Sequence, residues 1–478
     1  MTSLQRPSQL VSPISRTLIS TSAAPKSTDS AVPARTRLIL EAPVLPTLLR
    51  LAAPNVVVML VQAASSTVDA FFVSRLGADA LAGVSLVLPA WMLMVTMSFG
   101  GMGGGVASAI ARALGAGRRE DANDLVAHAL VIALLMSALF TAGALWAGPF
   151  LYPAMGGIGG ALEAALAYST VTFSGALAVW LLATLGSVVR GTGQMLFPAT
   201  IIVAGEILHV GLAPALIFGL GPFPPLGVAG AAASLVTSYT LRALALTAYV
   251  LSGRTVVTMP RGRLRFRRAL FWEILRVGLP GSLNTVLTNL NVMAVTGLVG
   301  SFGTFALAGY GIGARLEYLQ IPLVFGIGTA LVTMVGTNVG AGQVARARRV
   351  AWVGAGLAAV VTGSVGLLAA LLPWAWIGIF SSQPEVVAAG ETYLRIVGPA
   401  YGFLGLGLAL YFASQGAGRL FWPLVAGSAR LLIAALGGWL LIYWLGGGLA
   451  ALYAAIASSL GLFGAALAVA IKAGSWRR

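Results

Sequence analysis

The sequence predicts an all-α integral membrane protein, with twelve transmembrane helices arranged as two parallel six-helix lobes. Three observations carry that prediction: an apolar composition, twelve long apolar runs, and an internal repeat at half the chain length. Of 478 residues, 58% are hydrophobic and 9% charged, whereas an ordinary soluble domain is roughly a quarter charged. Lipid must therefore solvate much of the chain. Only helices and closed barrels satisfy their backbone groups in lipid, and these runs are too long and too uniformly apolar for barrel strands.

Residues 1–43 are rich in Ser, Thr, Pro and Arg, with Asp29 and Glu41 the acids present. They predict a disordered cytoplasmic tail. An Arg- and Ser-rich start also suits a transit peptide, but Arg-heavy, Lys-poor usage along the chain points to a GC-rich bacterium and its inner membrane. Apolar spans follow at about 47–73, 82–110, 122–147, 163–189, 196–219 and 227–251, which make an amino-terminal lobe over 44–252. A basic linker at 253–269 leads to spans at about 270–299, 305–335, 347–372, 386–414, 420–445 and 448–472, the carboxy-terminal lobe of 270–478.

The formal charge of +16, from 29 Lys+Arg against 13 Asp+Glu, would suggest nucleic acid in a soluble protein. Here the basic residues sit on one alternating set of loops: Arg112, Arg118 and Arg119; Arg254, Arg261, Arg263, Arg265, Arg267 and Arg268; and Arg346, Arg348 and Arg349. Such loops mark a cytoplasmic face and engage anionic headgroups. Both termini are therefore expected in the cytoplasm, and nucleic acid is not an expected partner.

The repeat fixes the organisation. Pro54 matches Pro280, Gly77 matches Gly303, ALAG at 80–83 matches ALAG at 306–309, and Phe99-Gly100 matches Phe325-Gly326, all at an offset of 226. Gly115-Ala116-Gly117 then pairs with Gly340-Ala341-Gly342, Tyr168 with Tyr393, Gly191-x-Gly193 with Gly416-x-Gly418 and Pro198 with Pro423, at 225. Six spans per repeat is an even number, so the halves enter the membrane in the same direction and can rock about a central cavity.

Ionisable groups inside the hydrocarbon are functional candidates by default. They are Asp69, Glu206, His209, Arg242, Arg315 and Glu317, with Arg430 less deep. Asp69 follows the bend-forming Pro54 in the first span, and a buried carboxylate can exchange a proton as its surroundings change. Glu206 and His209, at i,i+3, face one side of the fifth span and are candidates to share a proton. Arg315 and Glu317, at i,i+2, do not face each other, so Arg315 is expected to pair with a carboxylate from another span. Arg242 is expected to snorkel toward the basic face.

Other chemistries find no support. The chain has no cysteine, and neither a metal-ligand cluster nor a credible Ser/His/Asp set, so an intramembrane enzyme is not indicated. GGMGGG at 100–105 is no phosphate loop, because GxxxxGK[ST] is absent. No cofactor is expected. Energy must come from an ion gradient.

Over about 45–472 the sequence resembles the multidrug and toxic compound extrusion (MATE) family. The resemblance rests on Pro54 with Asp69, Arg112-x-x-Gly115-Ala116-Gly117, Arg190-Gly191-x-Gly193 with Pro198, Gly278-Leu-Pro280, Arg315-x-Glu317, Gly336-Thr-Asn338-Val-Gly340-Ala341 and Gly416-x-Gly418, with Thr337 where Gln is usual. It implies a V-shaped pair of lobes that export cationic or lipophilic compounds in exchange for protons or sodium. It also implies that Asp69 works with an Asn and an Asp of the fifth span. His209 and Ala213 stand at those positions, so the second acid is missing and Glu206 is the candidate substitute. A monomer is expected. The alternative within the same fold is a flippase for a lipid-linked saccharide.

Overall fold

A computed structural model describes residues 33–259 and 266–476. The first 32 residues, and Arg261, Arg263 and Arg265 of the linker, lie outside the described residues. Eleven described helices are long and apolar enough to cross a membrane, and a further pair, Gly159–Ser174 and Ala176–Gly191, makes a twelfth span bent by 45°. The bend falls at Gly175, where a Cβ would meet Val236 Cγ1 at 2.5 Å. Helix after helix carries large apolar side chains on its outside, Leu135, Leu139, Trp146 and Leu371 among them. Lipid is the solvent that makes such a surface stable.

The amino-terminal lobe comprises Val44–Ser74, Ala78–Gly115, Arg119–Ala154, the bent pair, Leu196–Phe218 and Gly227–Leu251. The second lobe comprises Arg268–Gly300, Thr304–Gly340, Val344–Leu371, Pro384–Ala417, Phe421–Tyr443 and Leu449–Lys472. Each lobe has its own apolar core. A third core joins Leu48, Leu51 and Ala107 of the first lobe to Val332, Val335 and Phe412 of the second.

Glycine determines how closely the lobes meet. A Cβ on Gly115 would stand 2.1 Å from the Thr337 carbonyl oxygen, and one on Gly340 would stand 2.1 Å from the Arg112 carbonyl oxygen. These contacts exchange repeat mates, so the pseudo-two-fold axis passes between the basic-face ends of the second and eighth spans. The GGMGGG run belongs to the same seam, since a Cβ on Gly101 would strike Ser282 and one on Gly105 the Ile274 carbonyl. Within it, Met97–Met102 forms a π-helical turn, a widening that is frequent beside functional sites.

The tail departs from expectation. Ala34–Glu41 is a helix between Pro33 and Pro43, and its Ile39 is buried. Arg346 donates to the Ile39 carbonyl at 3.3 Å and also to that of Ala42. Gly193 leaves the space that the Ile39 side chain fills. Apolar burial at Ile39 thus orders a segment whose composition suggested disorder. The described ends of the linker are docked too: Thr258 N–H donates to Asn123 at 2.8 Å, and Arg267 N–H to His128 Nε2 at 2.9 Å.

Candidate functional site

Charged side chains inside the spans gather at three places. The first lies toward the far end of the first lobe, opposite the basic loops. His209 Nε2 is 2.8 Å from Asp69 Oδ2, joining the fifth span to the first. The Asp69 side chain keeps 34% of its surface exposed while His209 keeps 2%. One turn nearer the basic face, Arg242 Nη1 donates to Glu206 Oε1 at 2.7 Å. Its Nε donates to the Ser238 carbonyl at 3.2 Å, and its guanidinium lies 4.3 Å from the Tyr239 ring centre. Gly205 makes room for this side chain, because a Cβ there would stand 2.2 Å from Arg242 Cδ.

Two expectations change here. Glu206 and His209 do lie on one buried side of the fifth span, yet they share nothing: the carboxylate faces the sixth span and the imidazole the first. Arg242 does not snorkel. It is buried and ion-paired, and desolvation of both charges is offset by their mutual contact and the Ser238 carbonyl. Ala213, where the family resemblance implied an acid, is buried.

The second place is in the second lobe. Glu317 Oε1 is 3.6 Å from Arg430 Nη2, and Tyr393 Oη donates to Glu317 Oε2 at 3.3 Å. Arg315, expected to find a carboxylate, has none within 4.0 Å among the described residues; it is exposed, with its guanidinium 5.5 Å from the Phe380 ring centre. A guanidinium can be stabilised by an aromatic face as well as by an anion. Pro54 and Pro280 sit inside unbroken first and seventh spans.

The third place is the lobe seam itself. A cavity of about 180 Å³ is bounded by Asn55, Gln62, Thr96, Arg190, Thr329 and Gln415, with Phe99, Phe325 and Phe412 as its apolar wall. Arg190 and Gln415 are repeat mates at 225, facing one another from the two lobes. Sequence reasoning passed over both, because each directly precedes a Gly-x-Gly and reads as part of a turn motif. The repeat alignment was the available signal. Beyond the seam, on the basic face, a hollow of about 990 Å³ is lined by Arg112, Arg118, Arg276, Arg348 and Arg419, with Glu273 the acid facing them. Arg112 bridges the lobes from its edge, reaching Glu273 Oε2 at 3.1 Å and the Gly416 carbonyl at 3.3 Å.

Two repeated six-span lobes around a seam cavity, with buried charge pairs in each, are the architecture of a membrane transporter. The MatE family model matches residues 54–215 and 280–440, one match in each repeat. The chain belongs to the MATE family of transporters. It is 27% identical to the FAD transporter of Shewanella oneidensis, over 83% of this chain and 87% of that one. It is 31% identical to the probable multidrug resistance protein NorM of Deinococcus radiodurans, over 75% and 77%. Among solved structures, a MOP superfamily transporter from Pyrococcus furiosus superposes with a TM-score of 0.84 at 24% identity, covering 92% of this chain and 97% of that one. An outward-facing MATE family multidrug resistance transporter gives 0.82 at 24% identity, covering 91% and 96%.

Proposed function

We propose that the protein works as a monomer in the bacterial inner membrane, both termini cytoplasmic, exporting lipophilic small molecules in exchange for protons. The observation that carries this reading is the Asp69–His209 contact. It joins two spans of one lobe through two groups able to hold one mobile proton, and the half-exposed carboxylate gives that proton a way in from the far face. Binding a proton converts an anionic site into a neutral one, which changes how the first span packs on the fifth. Substrate and proton then influence one another reciprocally. Sodium is disfavoured by the donor set, since a hard cation requires a shell of oxygens and the partner of Asp69 is an imidazole nitrogen.

The lobe geometry supports alternating access. Every side-chain hydrogen bond between the two lobes among the described residues lies in the basic-face half: Arg112 to Glu273, Arg112 to Gly416, Thr333 to Arg190, and Gln415 to Gly100 and Gly101. In the far half, Ser66 and Thr67 of the first span and Thr288 and Asn289 of the seventh are exposed. Polar residues in mid-span suit a wet cleft between lobes better than lipid.

The test is efflux from proteoliposomes. Ethidium should leave vesicles under an imposed proton gradient and not under a sodium gradient. Asp69→Asn, a permanent mimic of the protonated carboxyl, should insert and fold yet lose gradient-driven efflux. Wild-type efflux in Asp69→Asn refutes the coupling assignment. A wild type that moves no small solute under either gradient shifts the reading to the lipid-linked saccharide flippase.

A further inference from the structure

We propose that Arg190 is an anion-binding residue at the floor of the cleft, and that the molecules this protein binds include amphiphiles bearing an oxyanion. This deepens the export reading and rests on it only for the step of transport.

Three other largely buried arginines each have a carboxylate partner. Arg242 has Glu206 and the Ser238 carbonyl, Arg112 has Glu273 and the Gly416 carbonyl, and Arg430 has Glu317. Arg190 is as buried as these, with 7% of its surface exposed, yet among the described residues its guanidinium donates to one neutral group, the Ser187 hydroxyl at 2.8 Å. No carboxylate borders its cavity. An unpaired cation within a membrane protein is costly, so a guanidinium with donors left over implies a partner from outside the chain.

The surroundings are built to present this group. Gly186, one turn earlier, lets the guanidinium lie against its own helix, for a Cβ there would be 3.0 Å from Arg190 Nη1. Thr333 of the second lobe donates to the Arg190 backbone carbonyl at 3.0 Å, which fixes the residue while the lobes are closed at this face. Across the cavity, Gln415 donates Nε2 to the Gly100 carbonyl at 2.9 Å and leaves its buried Oε1 without a donor. A ligand that accepts from Arg190 and also carries a hydroxyl for Gln415 satisfies both. Phe325 and Phe412, edge to face at 4.9 Å, offer the apolar body a surface. The cavity, at about 180 Å³, falls below the ~300 Å³ of the smallest drug-sized pockets. It therefore accommodates a head group, the remainder of the molecule rising into the cleft.

Carboxyfluorescein and rhodamine 123 share a xanthene ring and carry opposite charge, so they isolate the oxyanion. Binding of each to the full chain in phosphatidylcholine nanodiscs is read by fluorescence anisotropy. The wild type should bind carboxyfluorescein. Arg190→Gln should weaken it about tenfold or more, the size of a lost charge-assisted fork, with rhodamine 123 within twofold. Gln415→Glu is isosteric and supplies an internal carboxylate; it should weaken carboxyfluorescein likewise, and it keeps the test open if Arg190→Gln does not fold. Adding phosphatidylglycerol to the nanodiscs identifies the natural source: Arg190-dependent displacement of the dye assigns the site to a lipid headgroup, and undiminished binding assigns it to a solute. No carboxyfluorescein binding by the wild type, or equal affinity in the wild type and both variants, overturns the proposal. Arg190-dependent binding without gradient-driven efflux supports the anion site and sinks the export reading.

Discussion

If the lobes rock about the glycine seam, adding one methyl group there should change which face is open. Gly115→Ala places a Cβ 2.1 Å from the Thr337 carbonyl oxygen, and Gly340→Ala places one 2.1 Å from that of Arg112. Both obstacles are backbone, so no rotamer change relieves them, and a normal carbon–oxygen approach needs roughly 1 Å more room. Overpacking of this kind costs about 1–3 kcal/mol. The clash exists only while the basic face is closed, so that energy is charged to one state. The population open to the basic face should rise about five- to over a hundredfold. Ser108, fully buried at the seam, reports it: in a Ser108→Cys background, on a chain without natural cysteines, maleimide should react at least five times faster with Gly115→Ala than without. Gly143→Ala, whose Cβ meets nothing within 4 Å, is the neutral control. An unchanged labelling rate in folded Gly115→Ala and Gly340→Ala would refute the rocking seam.

Three further outcomes are expected. His209→Asn should leave the protein folded and shift the pH dependence of ethidium efflux, whereas Glu206→Gln should lower stability and leave the pH profile in place; a profile unmoved by His209→Asn removes the imidazole from coupling. Arg242→Leu should cost about 3–5 kcal/mol by stranding the buried Glu206, seen as a lower unfolding temperature in detergent, and Gly205→Arg in the same chain should recover part of it; no recovery contradicts the equivalence of the two lobes' guanidinium positions. Arg254→Cys should resist an impermeant maleimide in intact cells while Ser382→Cys, exposed on the far side, reacts; the reverse pattern inverts the topology.

Spans and repeat were legible because both are properties of single segments. Apolar length and the 226 and 225 offsets need no knowledge of which helix touches which. Partnerships are a different matter. Glu206 and His209 share a helix face, but that face meets the sixth span at one level and the first span at another, and only packing decides it. Arg315 found Phe380 where a carboxylate was expected, because an aromatic face carries no charge for a sequence reader to match. Ala34–Glu41 was hidden by averaging: eight helix-compatible residues between two prolines were diluted by the Ser- and Pro-rich stretch before them.

The two lobes also solve one problem in two ways. The repeat mate of Arg430 is Gly205, and Gly205 is the residue over which Arg242 lies, its Cδ within 2.2 Å of where a Cβ would be. The mate of Arg242 is Leu467. Each lobe therefore brings a guanidinium to the corresponding spot, from the sixth span across a glycine in one and directly from the eleventh span in the other. Each supplies it with a glutamate. What differs is the neighbour: Asp69 and His209 have Val295 and Ala434 as mates, which cannot titrate. The paired charges hold a common scaffold element in both lobes, and the Asp69–His209 contact is what the first lobe adds to it. Under the proposed proton coupling, a proton bound there would act on one lobe and leave its repeat mate unchanged, the asymmetry that a coupled rocking motion would need.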